Sequence, residues 1–160
     1  MEVLAIDPGN EHSAYVYMDD AYTPLEFGKI KNEELRSMLD CAVMADAVAI
    51  EMIQSYGMGV GQTVFDTCVW IGRFVELINQ HNVPITYIFR KDEKMNLCHS
   101  MKAKDSNIRL ALIDRFAKHD KKNGKGTKAN PDHFYGFKAD IWAAYAVGVT
   151  YLDMNLIKNS

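Results

Sequence analysis

Residues 3–19 read VLAIDPGNEHSAYVYMD: four apolar residues lead to Asp7, Pro8 and Gly9 follow, and a second apolar stretch begins after Ser13. Two short apolar stretches separated by Pro, Gly and Asn predict an antiparallel β-hairpin. Asp7 is then the last residue of a strand that is otherwise suited to burial. The remaining sequence indicates what such an acidic strand end is for.

The rest of the chain alternates between short apolar runs and longer segments with helical spacing. Strands are predicted at residues 2–7, 13–19, 25–30, 47–52 and 85–90, and helices at residues 32–43, 63–80, 106–118 and 138–152. Asn32 is the predicted cap of the first helix. Three antiparallel strands followed by two helix-linked parallel strands predict the α/β class, with a mixed five-stranded sheet and helices on both faces.

Length and composition indicate a single domain that spans residues 1–160. The chain is 48% hydrophobic, which is enough to form a buried core. Its 160 residues suit one such core but are too few for two. Its apolar runs are far shorter than the roughly 18 residues that cross a bilayer, and no signal peptide begins the sequence. We therefore expect a cytoplasmic protein without a membrane partner.

Positive charge is concentrated in one part of the chain. The net charge is −3, yet residues 90–128 contain 12 of the 18 Lys and Arg residues and 5 of the 21 Asp and Glu residues. A basic segment on an acidic body is typical of proteins that bind a phosphate backbone, because the local field sets counterion release. A solvated helix face followed by a polar loop explains the same pattern, and the sequence leaves both interpretations open.

Asp7 and Glu51 each end a predicted buried strand. If these two strands lie side by side in parallel, their carboxyl ends meet at one edge of the sheet, where ligands bind in open α/β folds. Two adjacent carboxylates repel each other unless a cation or a shared proton intervenes, and a hard ion such as Mg²⁺ suits them. Individually, Asp7 is also explained as a turn residue before Pro-Gly, and Glu51 as a strand end that reaches solvent.

Asp140 is the candidate for a third carboxylate. It precedes a helix that carries Ala143, Ala144, Val147 and Gly148, small residues that allow a helix to lie close to a sheet. An acidic residue at the start of a helix is also explained as a cap or as a favourable partner of the helix dipole. The helix pattern alone does not decide between these roles.

The order of these motifs resembles one family. IDPG at a strand end, IE at a later strand end and Ala-Asp before small residues in the last helix are similar to the RuvC family of Holliday junction resolvases, above all to members encoded by lactococcal phages. The resemblance implies the ribonuclease-H-like fold and a homodimeric endonuclease that nicks four-way DNA junctions in the cytoplasm of a bacterial host. It also implies two Mg²⁺ or Mn²⁺ ions held by Asp7, Glu51 and Asp140.

The sequence departs from the family pattern at one position. Bacterial members carry an acid or a His one helical turn before the last Asp, where this chain has Phe137. Asp132 is the predicted substitute as fourth metal ligand and catalytic residue, because a carboxylate suits Mg²⁺ better than imidazole does. His133 is the alternative ligand, and Asp132 is equally explained as a turn residue in Asn-Pro-Asp.

Residues that contact DNA are predicted in two regions. Tyr56, in a glycine-rich loop, is the candidate for stacking on a base, although a surface tyrosine explains it as well. The loop lacks the Lys and Ser/Thr of a phosphate-binding P-loop, so no nucleotide cofactor is expected. The predicted contacts with the DNA backbone are Lys102, Lys104 and Arg109, with Arg90 and Lys91 behind them and Lys121, Lys122 and Lys125 in the polar loop.

Three other functions are compatible with parts of the pattern. An actin-like ATPase or sugar kinase shares the first motif, but the chain is too short and has no second Asp-x-Gly loop. A cleavage-deficient junction-binding protein would tolerate Phe137. A debranching nuclease for flaps, forks and displacement loops would use the same carboxylates, and the sequence does not rank these substrates.

Overall fold

The computed structural model describes residues 1–160 and contains five strands and five helices. The strands are β1 (Glu2–Asp7), β2 (His12–Asp19), β3 (Pro24–Lys31), β4 (Ala47–Met52) and β5 (Ile85–Phe89). The helices are α1 (Asn32–Cys41), α2 (Gln62–Gln80), α3 (Arg90–Cys98), α4 (Asp105–Phe116) and α5 (Ile141–Asn159). None of the helices combines the length and the apolar character that a membrane span requires.

The strands form one mixed sheet in the order β3-β2-β1-β4-β5. The first three strands are antiparallel neighbours, whereas β4 lies parallel to both β1 and β5. The predicted α/β class and the mixed five-stranded sheet are therefore confirmed. Because β1 and β4 are parallel neighbours, their carboxyl ends share one edge of the sheet.

Each face of the sheet carries its own apolar core. On β1, Val3 and Ala5 pack on the side of α5, and Leu4 and Ile6 pack on the side of α1 and α2. This alternation follows from the two-residue period of a strand. Helices therefore cover both faces of the sheet, as the sequence predicts.

Helix α5 approaches the sheet closely at Gly148. A Cβ atom built on this glycine would lie 2.3 Å from the sulfur of Met18 and 3.1 Å from the Cβ of Ala5. The small residue thus allows α5 to pack directly on β1 and β2. This packing sets the position of Asp140, which is the N-cap residue of α5.

Two local expectations differ from the structure. Asn32 is the first residue of α1 rather than its cap, which is Lys31. The Asn32 side chain accepts a 2.6 Å hydrogen bond from the Ser13 hydroxyl and donates to the Gly9 carbonyl, so it ties α1 to the loop after β1. Helix α3 has no counterpart in the predicted elements, and it proves important for the site.

Candidate active site

Asp7 and Glu51 meet at the shared edge of β1 and β4. Ile6 pairs with Ile50 in the parallel register, so the next residue of each strand is one of the two acids. Both side chains lie on the α5 side of the sheet, because Ala5 and Ala49, two residues earlier, belong to the core on that face. The two predicted carboxylates are therefore neighbours.

The Asp7 carboxyl group lies within the electrostatic influence of Glu51. Burial and, to a smaller extent, the negative charge of Glu51 together raise the pKa of Asp7 to about 9. Asp7 therefore retains a proton at neutral pH, because its ionised form would be poorly solvated and repelled by Glu51. The pair therefore concentrates negative charge in a place that water solvates poorly.

Asp140 lies close to this pair from above the sheet. Its charge also contributes to the raised pKa of Asp7. The Asp140 side chain is 52% exposed, and its Oδ2 accepts a 2.6 Å hydrogen bond from the Nζ of Lys29 on β3. Lys29 is thus a cation of the site that the sequence patterns did not indicate.

Glu93 is a fourth acidic residue of the site and was not predicted. It lies in the first turn of α3, is 0% exposed, and accepts a 2.7 Å hydrogen bond from Arg90 at Oε2. Burial and, to a smaller extent, the charge of Glu51 raise the pKa of Glu93 to about 8 against the opposing effect of Arg90. Its charge in turn contributes to the raised pKa of Asp7.

The four acids supply only oxygen ligands, which is the donor chemistry that Mg²⁺ and Mn²⁺ prefer. As the side chains are arranged, no group of three or more His, Cys, Asp or Glu residues could hold a metal ion. One buried oxygen, Oε1 of Glu93, nevertheless has no hydrogen-bond partner. In chemistry and in charge, the residues fit a divalent cation bound at this edge.

Asp132, the predicted fourth ligand, has its carboxylate engaged by backbone groups of the loop after α4 and by its own neighbour in sequence. Its side chain is 0% exposed, and both oxygens accept hydrogen bonds from backbone N–H groups. Oδ1 binds those of Lys118 and His133, and Oδ2 those of His119 and Asp120, at 2.7–2.9 Å. Asp132 therefore anchors the loop that follows α4.

His133, the alternative ligand, is part of an aromatic cluster. The Tyr145 hydroxyl donates to the Tyr22 carbonyl at 2.8 Å, so the Nε2 of His133, 2.8 Å from that hydroxyl oxygen, acts as its donor. The imidazole ring also stacks on Phe116 with the centroids 5.2 Å apart. These contacts give His133 a packing role.

Phe137 stands where the resemblance described above implies an acid or a His, and it is 1% exposed. Its ring lies 4.7 Å from the ring of Phe27 and 5.3 Å from that of Trp142, measured between centroids. The position therefore belongs to the core, and helix α5 supplies Asp140 alone to the site.

Some of the predicted DNA contacts already bind groups within the protein, and others are exposed. Arg90 pairs with both Glu93 and Asp105, so its guanidinium is already used within the protein. Lys121 donates to the Ala117 carbonyl at 2.5 Å and thereby caps the end of α4. The exposed candidates are Tyr56, Lys102, Lys104, Arg109 and Lys122, whereas Lys91 and Lys125 are half-buried.

A cleft of about 460 Å³ adjoins the acidic edge. Asp140, Trp142, Arg90 and Arg109 are among the residues that line it. The guanidinium of Arg109 lies 4.4 Å from the centroid of the Trp142 ring, which favours a cation over its face. The arrangement places positive charge next to the carboxylates.

No protein family and no curated protein matches this chain. Solved structures do match. Thermus thermophilus RuvC in complex with a Holliday junction substrate superposes with a TM-score of 0.68 at 16% identity, over 97% of this chain and 96% of that chain. A second structure of T. thermophilus RuvC gives a TM-score of 0.65 at 16% identity, over 98% and 96% of the two chains. The chain therefore has the ribonuclease-H-like fold of RuvC.

Proposed function

We propose that this protein is a metal-dependent, structure-selective endodeoxyribonuclease that nicks Holliday junctions. The observation that carries the proposal is the juxtaposition of Asp7 and Glu51 at the carboxyl ends of two parallel strands, in a chain with the fold of RuvC. Asp140 and the basic segment support it from two further elements. From the resemblance of the sequence motifs to phage-encoded members, we infer a phage-encoded protein that acts in the cytoplasm of a bacterial host.

Asp7, Glu51 and Asp140 would hold the metal ions, which we expect to be two Mg²⁺ per site with Mn²⁺ as a substitute. When bound, such ions activate a water molecule and stabilise the leaving oxygen of a phosphodiester. The protein's own contribution is to desolvate the carboxylates and to fix them at one edge. Lys29 balances the charge of Asp140 on the exposed side.

Two copies of the chain would act together on a junction. A four-way junction is two-fold symmetric, so paired nicks need two sites related by the same symmetry. Helix α2 offers a surface for this contact, because Phe65 and Val69, one turn apart, are 54% and 55% exposed. We therefore propose a homodimer.

A panel of branched DNAs tests the proposed function. Four-way junctions, flaps, forks, displacement loops and plain duplex are incubated with the protein in Mg²⁺, Mn²⁺ or EDTA. We expect paired nicks in the four-way junction with either metal and none in EDTA. Equal cutting of flaps and forks would identify a debranching nuclease instead.

A cleavage-deficient junction-binding protein is the second candidate. The ion pair between Lys29 and Asp140 and the burial of Phe137 favour it, because both reduce the number of free acids at the edge. Tight junction binding without nicks in Mg²⁺ or Mn²⁺ would decide for this candidate.

A further inference from the structure

Glu93 is buried beyond what an ion pair with Arg90 explains. Its side chain is 0% exposed, and Arg90 satisfies Oε2 alone. Oε1 is buried and has no hydrogen-bond partner. A buried polar atom without a partner costs about 1–3 kcal/mol, and a charged one costs more, so such an atom calls for a ligand.

The fold directs Glu93 toward the acidic edge. In the sheet, Glu51 pairs with Ile88 of β5, and α3 begins immediately after Phe89 without an intervening loop. Glu93 therefore lies about one helical turn beyond the end of β5, next to the end of β4. Because Glu51 lies at the end of β4, this position brings Glu93 to the same edge of the sheet as the acidic pair.

Arg90 does not account for this arrangement. It also pairs with the exposed Asp105 at the start of α4, so its charge has a partner without Glu93. A purely structural ion pair would use Oε2 and leave no reason to bury Oε1. If Glu93 served only to tether α3 through Arg90, the burial of Oε1 without a partner would remain unexplained.

We propose that Glu93 supplies its Oε1 as a ligand to a divalent cation held together with Asp7 and Glu51, and so stands in for the acid that is lacking at the position of Phe137. The inference rests on the proposed function, because it names a further residue of the same metal site. It differs from the pattern of the family, in which the additional ligand comes from the last helix.

Calorimetric titration of the DNA-free protein with Mn²⁺ tests the proposal. Glu93→Gln is expected to bind Mn²⁺ at least tenfold more weakly than the wild type, or to bind one ion fewer. Glu33→Gln is the matched control, because Glu33 pairs with Arg36 at the same three-residue spacing but is 65% exposed. The control is expected to bind Mn²⁺ as the wild type does.

Glu93→Asp separates ligation from charge. It retains the negative charge but withdraws the carboxylate by one methylene, so a direct ligand loses affinity for Mn²⁺ whereas a mere source of charge does not. In EDTA, Glu93→Gln is expected to melt no lower than the wild type, since a neutral amide replaces a desolvated acid.

The outcomes distinguish the inference from the proposed function. A wild-type protein that neither binds Mn²⁺ nor nicks DNA overturns the proposed function. If the wild type binds Mn²⁺ and nicks, but either Glu93 variant binds Mn²⁺ with unchanged affinity and stoichiometry, the inference alone is overturned.

A measurement on the wild-type protein tests the proposal even if the variants fail to fold. With glutamate labelled by ¹³C at the carboxyl carbon, substoichiometric Mn²⁺ is expected to broaden the Glu93 signal and to leave the Glu33 signal sharp. An unbroadened Glu93 signal would contradict the proposal.

Discussion

At the scale of single residues, Asp7 and Glu51 carry the proposed chemistry. Asp7→Asn and Glu51→Gln should each reduce nicking at least a thousandfold, because each removes an anionic oxygen ligand. Junction binding should persist or tighten, since each change also removes negative charge near the phosphate. Single-turnover nicking and a gel-shift titration check the two expectations.

The control for these variants is Asp114→Asn, an exposed acid on α4. It should nick and bind as the wild type does. Nicking by Asp7→Asn or Glu51→Gln at a rate near that of the wild type would refute the paired-carboxylate site.

We expect Asp132 to contribute to the stability of the fold rather than to catalysis. Burial raises its pKa, but four backbone N–H donors outweigh this effect and hold the pKa well below its usual range. A lowered folded-state pKa stabilises the protein above the ordinary value of 3.8, and this contribution is lost as the pH falls below that value. Asp132→Asn should therefore lower the free energy of unfolding by about 1.5–3 kcal/mol at pH 7.

Urea unfolding at pH 7 and at acid pH measures this contribution. The difference between Asp132→Asn and wild type should shrink below pH 4, and the folded variant should still nick junctions. Unchanged stability combined with lost nicking would return Asp132 to the metal site.

At the scale of elements, the sequence patterns identified the strands with apolar runs and missed the polar helix α3. The bounds of β1 and β4 match their predictions, because continuous apolar runs mark buried strands. Helix α3 reads RKDEKMNLC and presents no apolar period, so tertiary contacts rather than pattern define it. Glu93 was missed together with its helix.

The backbone contacts of Asp132 escaped the sequence analysis for a different reason. Its partners are backbone groups of residues 118–120, which a loop brings back from more than ten positions earlier. Nothing in the spacing of side chains reveals where backbone N–H groups converge. Lys29 was missed for a related reason, since its role depends on how α5 crosses β3.

The segment that leads into α4 is the element we expect to bind the DNA backbone. Lys102 and Lys104 are exposed, and their ammonium groups take part in no hydrogen bond or ion pair of the structure, although their backbone N–H groups donate to Ser100 and Asn107. Replacing both with Ala should weaken the binding of all DNA structures alike. The slope of log affinity against log salt should fall by about 0.9 per lost phosphate contact.

Fluorescence anisotropy over a range of salt concentrations measures this slope. The control replaces Lys31 and Lys158, which lie outside residues 90–128, and should leave the slope unchanged. An unchanged slope for the Lys102 and Lys104 variant would assign these lysines to a solvated surface.

At the scale of the whole molecule, the exposed face of α2 predicts the oligomeric state. The wild type should sediment as a dimer, because Phe65 and Val69 present apolar area that a second copy can cover. Val69→Glu should weaken the dimer at least tenfold, since it places a charge in that contact. Analytical ultracentrifugation with and without junction DNA checks both expectations.

Leu156→Glu is the control, since Leu156 is 61% exposed near the end of α5 and away from α2. It should leave the dimer intact. A wild type that remains monomeric even on junction DNA would remove the support for paired nicks.

The burial of Phe137 restricts how this protein can evolve. Exchanging the ring for a carboxylate would empty a site among Phe27, Phe134 and Trp142 and cost about 3–5 kcal/mol, a large part of the stability of a small domain. A chain with this aromatic cluster therefore cannot accept an acid at position 137 by one substitution without that loss. If Glu93 has the proposed role, searches for similar proteins that demand an acid at this position will pass over them, whereas searches that accept an acid after the fifth strand will retain them.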